Sequence, residues 1–349
     1  MDLYILHAGI SHPSPYFYNL EKELKQYPEI NVIINPNLPT IPPRDKGIVY
    51  FNRLKRFYDS NDLNSSKDFL KKIDNLKEMG WKIVWTVHNF FPIDRDITAV
   101  DDYVVREFIN RADLLFTLSE YMRKSIKENY GKEAINHSMG INDLSGIFDK
   151  EIIKLDEIPK NAILFSFVGN IYKYKLLNVL IDKFNKLETP NVYLLIAGPK
   201  AANQKVDLNI TNKNIIVKDG FIGDSSWEII SERTTCFVCL YDLKLPAFKY
   251  GFFPSNIVKI SSLKKMCLVP ESEIIRELAD QQSLIEYNFE DPKDFSNKID
   301  YIIKNIDKIK LQEEKIKQKV YSWSKLTKIF VEGIKKLYEW YIYYRLFNS

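Results

Sequence analysis

The sequence has few cysteines and no long apolar run. Three cysteines in 349 residues do not make a disulfide framework, which favours a reducing compartment. Met1–Leu6 is typical of a short strand, and no basic segment followed by an apolar run marks a signal peptide. No stretch reaches the roughly 18 apolar residues that a membrane-spanning helix needs. We therefore expect a cytoplasmic protein.

Signatures of several enzyme classes are also missing. The chain has no GxGxxG, Walker A, GxSxG or HExxH motif. The first strand lacks a dinucleotide fingerprint, which argues against a dehydrogenase. Cys236 and Cys239 form a CxxC pair, but residues i and i+3 of a strand face opposite sides. We interpret both as packing residues, with a metal or redox role as the alternative. His7 and His12 have no further metal-ligand residues near them in sequence.

The length and the order of predicted elements indicate two domains. A chain of 349 residues, 45% hydrophobic and 28% charged, exceeds what one core usually serves. Strand and helix patterns alternate in both halves, which predicts βαβ units and parallel sheets. We predict an α/β protein with two Rossmann-like domains that face each other across a cleft. They span 1–155 and 156–320, with an irregular linker near 142–161, and 321–349 form a C-terminal helix that crosses back to the N-terminal domain.

The positive charge is concentrated at the C-terminus. The net charge is +4, and residues 301–349 hold eleven Lys and Arg against five Asp and Glu. One interpretation is a basic, aromatic helix on an anionic membrane surface. The other is an ordinary amphipathic helix with solvated lysines and buried rings. The aromatic residues concerned are Trp323, Tyr338, Trp340, Tyr341, Tyr343, Tyr344 and Phe347.

The clearest helix and strand of the first half are adjacent. Residues 66–79 have helical periodicity, with Ser65 or Ser66 as the predicted N-cap and Gly80 as the predicted end. Trp81–Val87 is a strand rich in β-branched residues. Its carboxyl end belongs to the edge of a parallel sheet where ligands bind.

Three positions at such strand or helix ends are candidates for ligand contact. His88 follows the strand and could hydrogen-bond a polar ligand or orient a leaving group, or could satisfy a loop carbonyl. Pro254 precedes a helix, and Ser255 or Asn256 could present donors to an anion or serve as a simple cap. Gly9 follows the first strand, as in loops that approach ligands and in many ordinary turns.

The most informative stretch is Phe165–Lys200. It predicts a buried strand, a turn at Gly169, a lysine-bearing loop, an amphipathic helix and a second strand that ends at Gly198. A glycine turn that opens a helix places N–H groups and a helix dipole where a phosphate can bind. Lys175 at the helix start is a candidate diphosphate partner, with a solvated surface lysine as the alternative.

At these residues the chain resembles a GT-B glycosyltransferase, and it is most similar to family 4 and related bacterial polysaccharide and capsule enzymes. The resemblance covers nearly the whole chain. In the N-terminal half it rests on His88-Asn89 with Pro92 nearby, on Arg111-Ala112-Asp113 followed by Ser119, and on Asn136–Gly140. In the C-terminal half it rests on Phe167–Asn170 with Lys175, on Leu195–Gly198, on Asp219–Ile222 and on Pro254–Asn256.

The resemblance implies transfer of a sugar from a UDP- or GDP-sugar to an acceptor hydroxyl, without a bound metal or other cofactor. It implies a lipid-linked saccharide acceptor for cell-surface polysaccharide at the inner face of the membrane, and retention of anomeric configuration, although similar families invert. The implied sites are one catalytic residue, His88; donor-binding Gly169, Asn170, Tyr172, Lys175, Phe221, Ile222, Pro254, Ser255, Asn256 and Lys259; and acceptor-binding Gly9, His12, Asn89 and His137.

The chain departs from the family pattern at several positions. Asn170 replaces the usual arginine, and Leu176 replaces the glycine after the lysine. The paired glutamates are missing, and one alignment places Lys259 where related sequences have a glutamate. An alternative function is therefore a degenerate GT-B protein that serves as a partner subunit of another transferase. A sugar-nucleotide epimerase lacks support, because the expected acidic and histidine residues are absent.

Overall fold

The computed structural model describes residues 1–7, 15–93, 95–140, 152–200, 207–317, 319 and 322–348. The predicted acceptor residues Gly9 and His12 lie outside these ranges. Contacts divide the chain into two compact units. The first comprises Met1–Asn142, Pro246–Phe253 and Tyr321–Ser349, and the second comprises Asp143–Leu245 and Pro254–Val320.

The first unit is built on a parallel sheet. Its described strands lie in the order β2-β1-β3-β4-β5-β6. The central strands are buried except at Lys82, as expected for a sheet that is covered on both faces. The strands are β1 (Asp2–Leu6), β2 (Asn31–Asn35), β3 (Gly47–Phe51), β4 (Trp81–Val87), β5 (Leu114–Thr117) and β6 (Ile135–Asn136). The helices between them are α1 (Pro15–Leu24), α2 (Leu63–Glu78), α3 (Ala99–Arg111) and α4 (Glu120–Tyr130).

The second unit has a parallel sheet of the same kind. Its described strands lie in the order β12-β11-β10-β7-β8-β9. The strands are β7 (Ile163–Val168), β8 (Val192–Ala197), β9 (Ile215–Lys218), β10 (Cys236–Val238), β11 (Cys267–Pro270) and β12 (Leu284–Tyr287). The helices that follow α4 along the chain are α5 (Leu177–Asn185), α6 (Asp224–Arg233), α7 (Pro246–Tyr250), α8 (Ser255–Ser262), α9 (Glu273–Leu278), α10 (Asp294–Lys304), α11 (Ile306–Glu313) and α12 (Trp323–Asn348). Of these, α7 and α12 belong to the first unit.

The prediction of an α/β protein with two Rossmann-like domains is confirmed. Each sheet is parallel and alternates with helices, as the strand and helix patterns indicated. The predicted cap of α2 is wrong. Asp62 is the N-cap, and its side chain accepts hydrogen bonds from the main-chain amides of Asn64 and Ser65. The helix therefore begins at Leu63, three residues before the predicted start at Ser66.

Helix α12 packs in the core of the first unit. Trp323, Phe330 and Ile334 are buried there together with Tyr16 and Tyr50. The Trp323 ring lies edge-on to Tyr16, with 5.2 Å between the ring centroids. The first part of α12 thus buries its aromatic rings, as expected for an ordinary amphipathic helix. In the part of the chain that the structure describes, no helix combines the length and the apolar character needed to span a membrane.

The three cysteines are buried and free. Cys236 lies in β10, Cys267 in the neighbouring β11, and Cys239 just beyond β10. Burial raises the pKa of the Cys236 and Cys267 thiols above the ordinary value for cysteine. Protonated, enclosed thiols of this kind act as packing groups.

Candidate functional site

In the second unit, two glycine turns touch each other at the carboxyl edge of the sheet. Strand β7 ends at Gly169 (φ 123°) and β8 ends at Gly198 (φ 144°). A Cβ atom on Gly198 would lie 2.2 Å from the carbonyl oxygen of Gly169, closer than atoms can approach. The positive φ favours glycine at both positions, and at Gly198 the contact with the backbone also excludes a side chain.

Lys175 lies beside the Gly169 turn and is buried. Lys175 is the last residue of the 3₁₀ turn Lys173–Lys175, and only 7% of it is exposed. The Nζ atom lies 5.2 Å from the centroid of the Phe167 ring and 3.4 Å from the position of a Cβ on Gly169. Lys175 is thus enclosed, unlike the solvated surface lysine that was the alternative.

The amine of Lys175 has no counter-ion within the described ranges. No carboxylate or hydrogen-bond acceptor there contacts Nζ. Burial lowers its pKa from 10.5 to about 8, and the nearby Cys239 thiol opposes this shift. A buried cation without a partner is unfavourable, and an anionic ligand would compensate it.

Leu176 has a backbone conformation that glycine adopts more readily. Its φ and ψ are 46° and 34°, in the left-handed region, immediately before α5. A leucine in this conformation costs about 1–2 kcal/mol relative to a residue in an ordinary region. Leucine at the position where the family pattern has glycine therefore adds strain to this turn.

The amino end of α8 is tied to the same turn. Pro254 is its N-cap and provides no side-chain cap for the first-turn amides, which begin at Ser255. Asn256 Nδ2 donates a hydrogen bond to the carbonyl oxygen of Val168 at 2.6 Å. The Ile257 amide donates to the carbonyl oxygen of Pro254 at 2.9 Å, so the Ser255 and Asn256 amides are the ones left for an anion within the described ranges, and the Asn256 side chain has an internal partner.

Lys259 is paired with a carboxylate. Its Nζ lies 2.6 Å from Asp224 Oδ1, at the start of α6, and both side chains are mostly buried. Lys259 was predicted to bind the donor as a cation that meets phosphate. Here its charge is balanced by Asp224, which the sequence did not single out.

The remaining donor candidates lie along the same sheet edge. Phe221 and Ile222 follow β9, which neighbours β8, and Phe221 is 58% exposed. Asn170 is exposed directly after Gly169. The Tyr172 ring stacks on that of Tyr174, with 5.3 Å between centroids.

In the first unit, His88 and Asn52 meet at the carboxyl ends of neighbouring strands. His88 follows β4, Asn52 follows β3, and His88 Nε2 contacts Asn52 Nδ2. The Tyr16 ring lies edge-on to the partly exposed imidazole, with 4.6 Å between centroids. Burial, together with the charges of Arg53 and His137, holds the pKa of His88 well below its usual range.

Asn89 anchors a distant segment of the first unit. It forms an isolated antiparallel bridge with Phe252, and its Oδ1 accepts a hydrogen bond from the Phe253 amide at 3.4 Å. The Tyr121 hydroxyl also contacts the carbonyl oxygen of Lys249, 3.5 Å away. The residues just before Pro254 are therefore fixed beside His88.

His137, a predicted acceptor residue, is enclosed in the core. It is 2% exposed and packs edge-on against Phe116. Its Nε2 lies 3.4 Å from Thr86 Oγ1, and its Nδ1 has no hydrogen-bond partner among the residues that are described. The Thr86 hydroxyl accepts from Tyr50, which in turn meets the Tyr16 hydroxyl.

We expect the buried His137 to make stability depend on pH. Burial lowers its pKa from 6.5 to about 3, so the unfolded chain takes up a proton below 6.5 while the folded protein does not. The free energy of unfolding should fall with decreasing pH in this window, by up to about 1.4 kcal/mol per pH unit. Urea unfolding of the wild type and of His137→Gln measures this contribution. The wild type should lose stability relative to His137→Gln as the pH falls. A stability difference that does not change with pH would contradict this prediction.

Several of these residues were not predicted from the sequence. Asn52 could have been found, because it is a polar residue directly after a buried strand, as His88 is. Tyr16, Thr86 and Asp224 could not, because their partners are distant in sequence.

Comparison with known proteins identifies the class. Residues 148–321 match the model of the family described as Glycosyl transferases group 1. The structure resembles HepE of Anabaena in complex with UDP (TM-score 0.65, 12% identity, 96% of this chain and 99% of that chain). It also resembles sucrose-phosphate synthase of Thermosynechococcus elongatus (TM-score 0.69, 11% identity, 97% and 99%). MnaA of S. aureus with UDP is a third match (TM-score 0.59, 12% identity, 96% of both chains). No curated protein matches the sequence.

The fold is therefore GT-B, as predicted. The chain matches the group 1 glycosyltransferase model over just under half of its length, and this match supports a glycosyltransferase enzyme.

Proposed function

We propose that this protein transfers a sugar from a UDP-sugar, or alternatively a GDP-sugar, to a hydroxyl of a lipid-linked saccharide. The reaction would be of the family 4 type, without a bound metal and with retention of anomeric configuration. It would serve cell-surface or capsule polysaccharide synthesis. UDP is the first candidate because solved structures of the similar HepE contain UDP, UDP-glucose, and UDP with glucose. The observation that carries the proposal is the buried amine of Lys175 without a counter-ion.

The donor's diphosphate fits the turn at Gly169. Lys175 supplies a cation, and the first turn of α8 supplies main-chain amides and the positive end of a helix dipole. When the bond between the sugar carbon and the phosphate oxygen breaks, negative charge grows on the leaving diphosphate. Donors that are already in position stabilise that charge more in the transition state than in the ground state. A cation and a helix end can thereby do what a divalent metal does elsewhere.

The nucleoside fits the neighbouring strand ends. The exposed Phe221 ring after β9 suits contact with a base. Asp224 offers carboxylate oxygens that could accept from ribose hydroxyls, while Lys259 balances its charge. This pair would perform from α6 the task for which related sequences use a glutamate on α8.

The transferred sugar is assigned to His88. The acceptor hydroxyl forms a bond to the anomeric carbon as the diphosphate leaves, and the hydroxyl proton passes to the departing phosphate. His88 hydrogen-bonds the sugar during this step, and Asn89, Gly9, His12 and His137 remain the candidates on the acceptor side. Enclosed in the core, His137 would act on the acceptor through its neighbours.

The basic C-terminus supports a position at the inner face of the membrane. Residues 301–349 carry an excess of Lys and Arg, and Trp340, Tyr341, Tyr343 and Tyr344 follow the part of α12 that packs in the core. Flotation with liposomes tests this proposal. Binding to vesicles with anionic lipid, weakened by salt, is expected, and no binding at low salt would refute it.

A partner subunit without catalysis is the second candidate. It is favoured by Lys259, which stands in place of a glutamate and has its charge satisfied by Asp224. Such a protein would not turn over a donor, whether or not it binds a nucleotide.

The test is thermal unfolding with UDP and GDP, followed by hydrolysis of nucleotide sugars. At a UDP concentration of 100 Kd the ligand should add about 2.7 kcal/mol to the free energy of unfolding. The UDP shift should persist in excess EDTA, because no metal is required. His88→Ala should retain the shift and lose turnover. Failure of every nucleotide to raise the Tm would refute the donor site, and binding without turnover of any sugar nucleotide would favour the partner subunit.

A further inference from the structure

The contact between Asn52 and His88 has a defined chemical direction. Asn52 is 6% exposed, and its amide nitrogen Nδ2 contacts His88 Nε2. An amide nitrogen donates hydrogen bonds and does not accept them. Nε2 must therefore be the acceptor, and the single proton of the neutral ring lies on Nδ1.

The second proton of the same amide agrees with this direction. The Asn52 side chain acts on the pKa of the nearby Tyr50 hydroxyl in the lowering direction, as a donor to its oxygen would. Tyr50 uses its own proton to donate to Thr86 Oγ1 at 2.8 Å, so its oxygen is left to accept. An Asn52 amide that donates to both neighbours fits these directions.

The environment favours a neutral ring with one open nitrogen. The groups around His88 are Arg53 and Asn52 after β3, Tyr16 on α1 and His137 after β6, and the charge of Arg53 opposes a second positive charge. The part of the chain that is described provides no partner for His88 Nδ1. The ring is also partly exposed, so a ligand can reach it.

We propose that Asn52 is a positioning residue that holds His88 in the Nδ1–H tautomer, so that His88 meets the sugar as a neutral hydrogen-bond donor and not as a general base. The role toward the sugar rests on the proposed transferase function. The tautomer itself does not, because it is a property of the free protein.

The direct test is nitrogen-15 NMR of the full chain labelled at histidine. The chain has four histidines, and His88→Gln identifies the signal of His88. Long-range proton–nitrogen correlations near neutral pH should show a protonated Nδ1 and an unprotonated Nε2. A protonated Nε2 in the wild type would overturn the proposal, whatever the protein's activity.

Two variants of Asn52 extend the test. In Asn52→Asp the carboxylate should accept from Nε2–H, reverse the tautomer and raise the pKa of His88. In Asn52→Ala the two tautomers should mix. Asn61→Asp, an exposed position of the same unit, should leave the His88 signals unchanged. An unchanged tautomer in both Asn52 variants would contradict the positioning role.

Turnover of a donor separates this proposal from the proposed function. For Asn52→Ala we expect kcat to fall about tenfold with little change in donor KM, the equivalent of one lost hydrogen bond. Asn52→Asp should add a decline of kcat at acidic pH that the wild type lacks. If the wild type shows no turnover while the tautomer is as stated, the proposed function fails and the tautomer assignment stands. Wild-type activity that Asn52→Ala retains in full would overturn the positioning role.

Discussion

Lys175→Met should lower kcat/KM for the sugar donor by about 10²–10³ and remove thermal stabilisation by UDP. The substitution keeps an unbranched side chain of similar length in the enclosed site and removes only the amine. The effect should be large because Lys175 is buried and, in the proposed site, its amine would face the developing charge of the diphosphate.

The same variant should not destabilise the free protein. A buried cation without a counter-ion costs free energy, so Lys175→Met should unfold at the same or a higher temperature than the wild type without ligand. The matched control is Lys173→Met in the same 3₁₀ turn, where the lysine is exposed. It should change UDP binding by less than about threefold. Equal loss of UDP binding in both variants would contradict the assignment to Lys175.

The amine should also leave a signature at alkaline pH. Its pKa is lowered to about 8 in the folded protein and is 10.5 in the unfolded chain. Between these values the unfolded chain holds the proton and the folded protein does not, so the free energy of unfolding rises with pH relative to Lys175→Met. UDP affinity should fall as the pH rises through about 8, because the ligand needs the charged amine. Binding titrations of the two proteins across this range measure both effects.

The burial of Lys175 could not be predicted from its neighbours. A KxK pair is typical of a solvated surface, and the position beside a glycine turn was the only signal for a ligand. The structure adds the 3₁₀ turn and the left-handed Leu176, which turn the chain so that the second lysine is enclosed and the first stays exposed. Such a turn depends on tertiary packing, and no local propensity of leucine indicates it.

The strands were predictable for a simple physical reason. Buried parallel strands are continuous runs of apolar and β-branched residues, as Trp81–Val87 is, and such runs are visible in sequence. Helix ends were less predictable than strands. Asp62, Ser65 and Ser66 are all competent caps, and only the structure shows that the Asp62 carboxylate accepts two amides.

Side-chain partners were the least predictable feature. Asn256 bonds a carbonyl 88 residues away, and Lys259 pairs with an aspartate 35 residues away. Both were predicted from sequence as ligand contacts, because a polar residue in such a helix has the same sequence pattern whether its partner is a phosphate or another part of the chain. Only the fold shows that each also has a partner within the chain.

Phe330→Ala should destabilise the first unit by about 3–5 kcal/mol, the usual cost of removing a large ring from a core. Phe330 is fully buried, and its ring lies 5.1 Å from the ring centroids of both Tyr50 and Phe116. Urea unfolding, with hydrogen exchange of the β3 and β5 amides as a local probe, measures the loss. Lys328→Ala, on the exposed side of the same helix, should change stability by less than about 0.5 kcal/mol.

The result for Phe330 also tests whether the C-terminal helix supports the His88 site. Tyr50, against which Phe330 packs, hydrogen-bonds Thr86 and lies near the Asn52 amide that contacts His88. Loosening the ring should therefore broaden the His88 signals and lower kcat, while the UDP shift, which depends on the second unit, should persist. If Phe330→Ala unfolds with the wild-type midpoint, α12 does not stabilise this sheet. If it is destabilised but leaves the His88 signals unchanged, the helix stabilises the unit without positioning the histidine, and Asn52 alone does so.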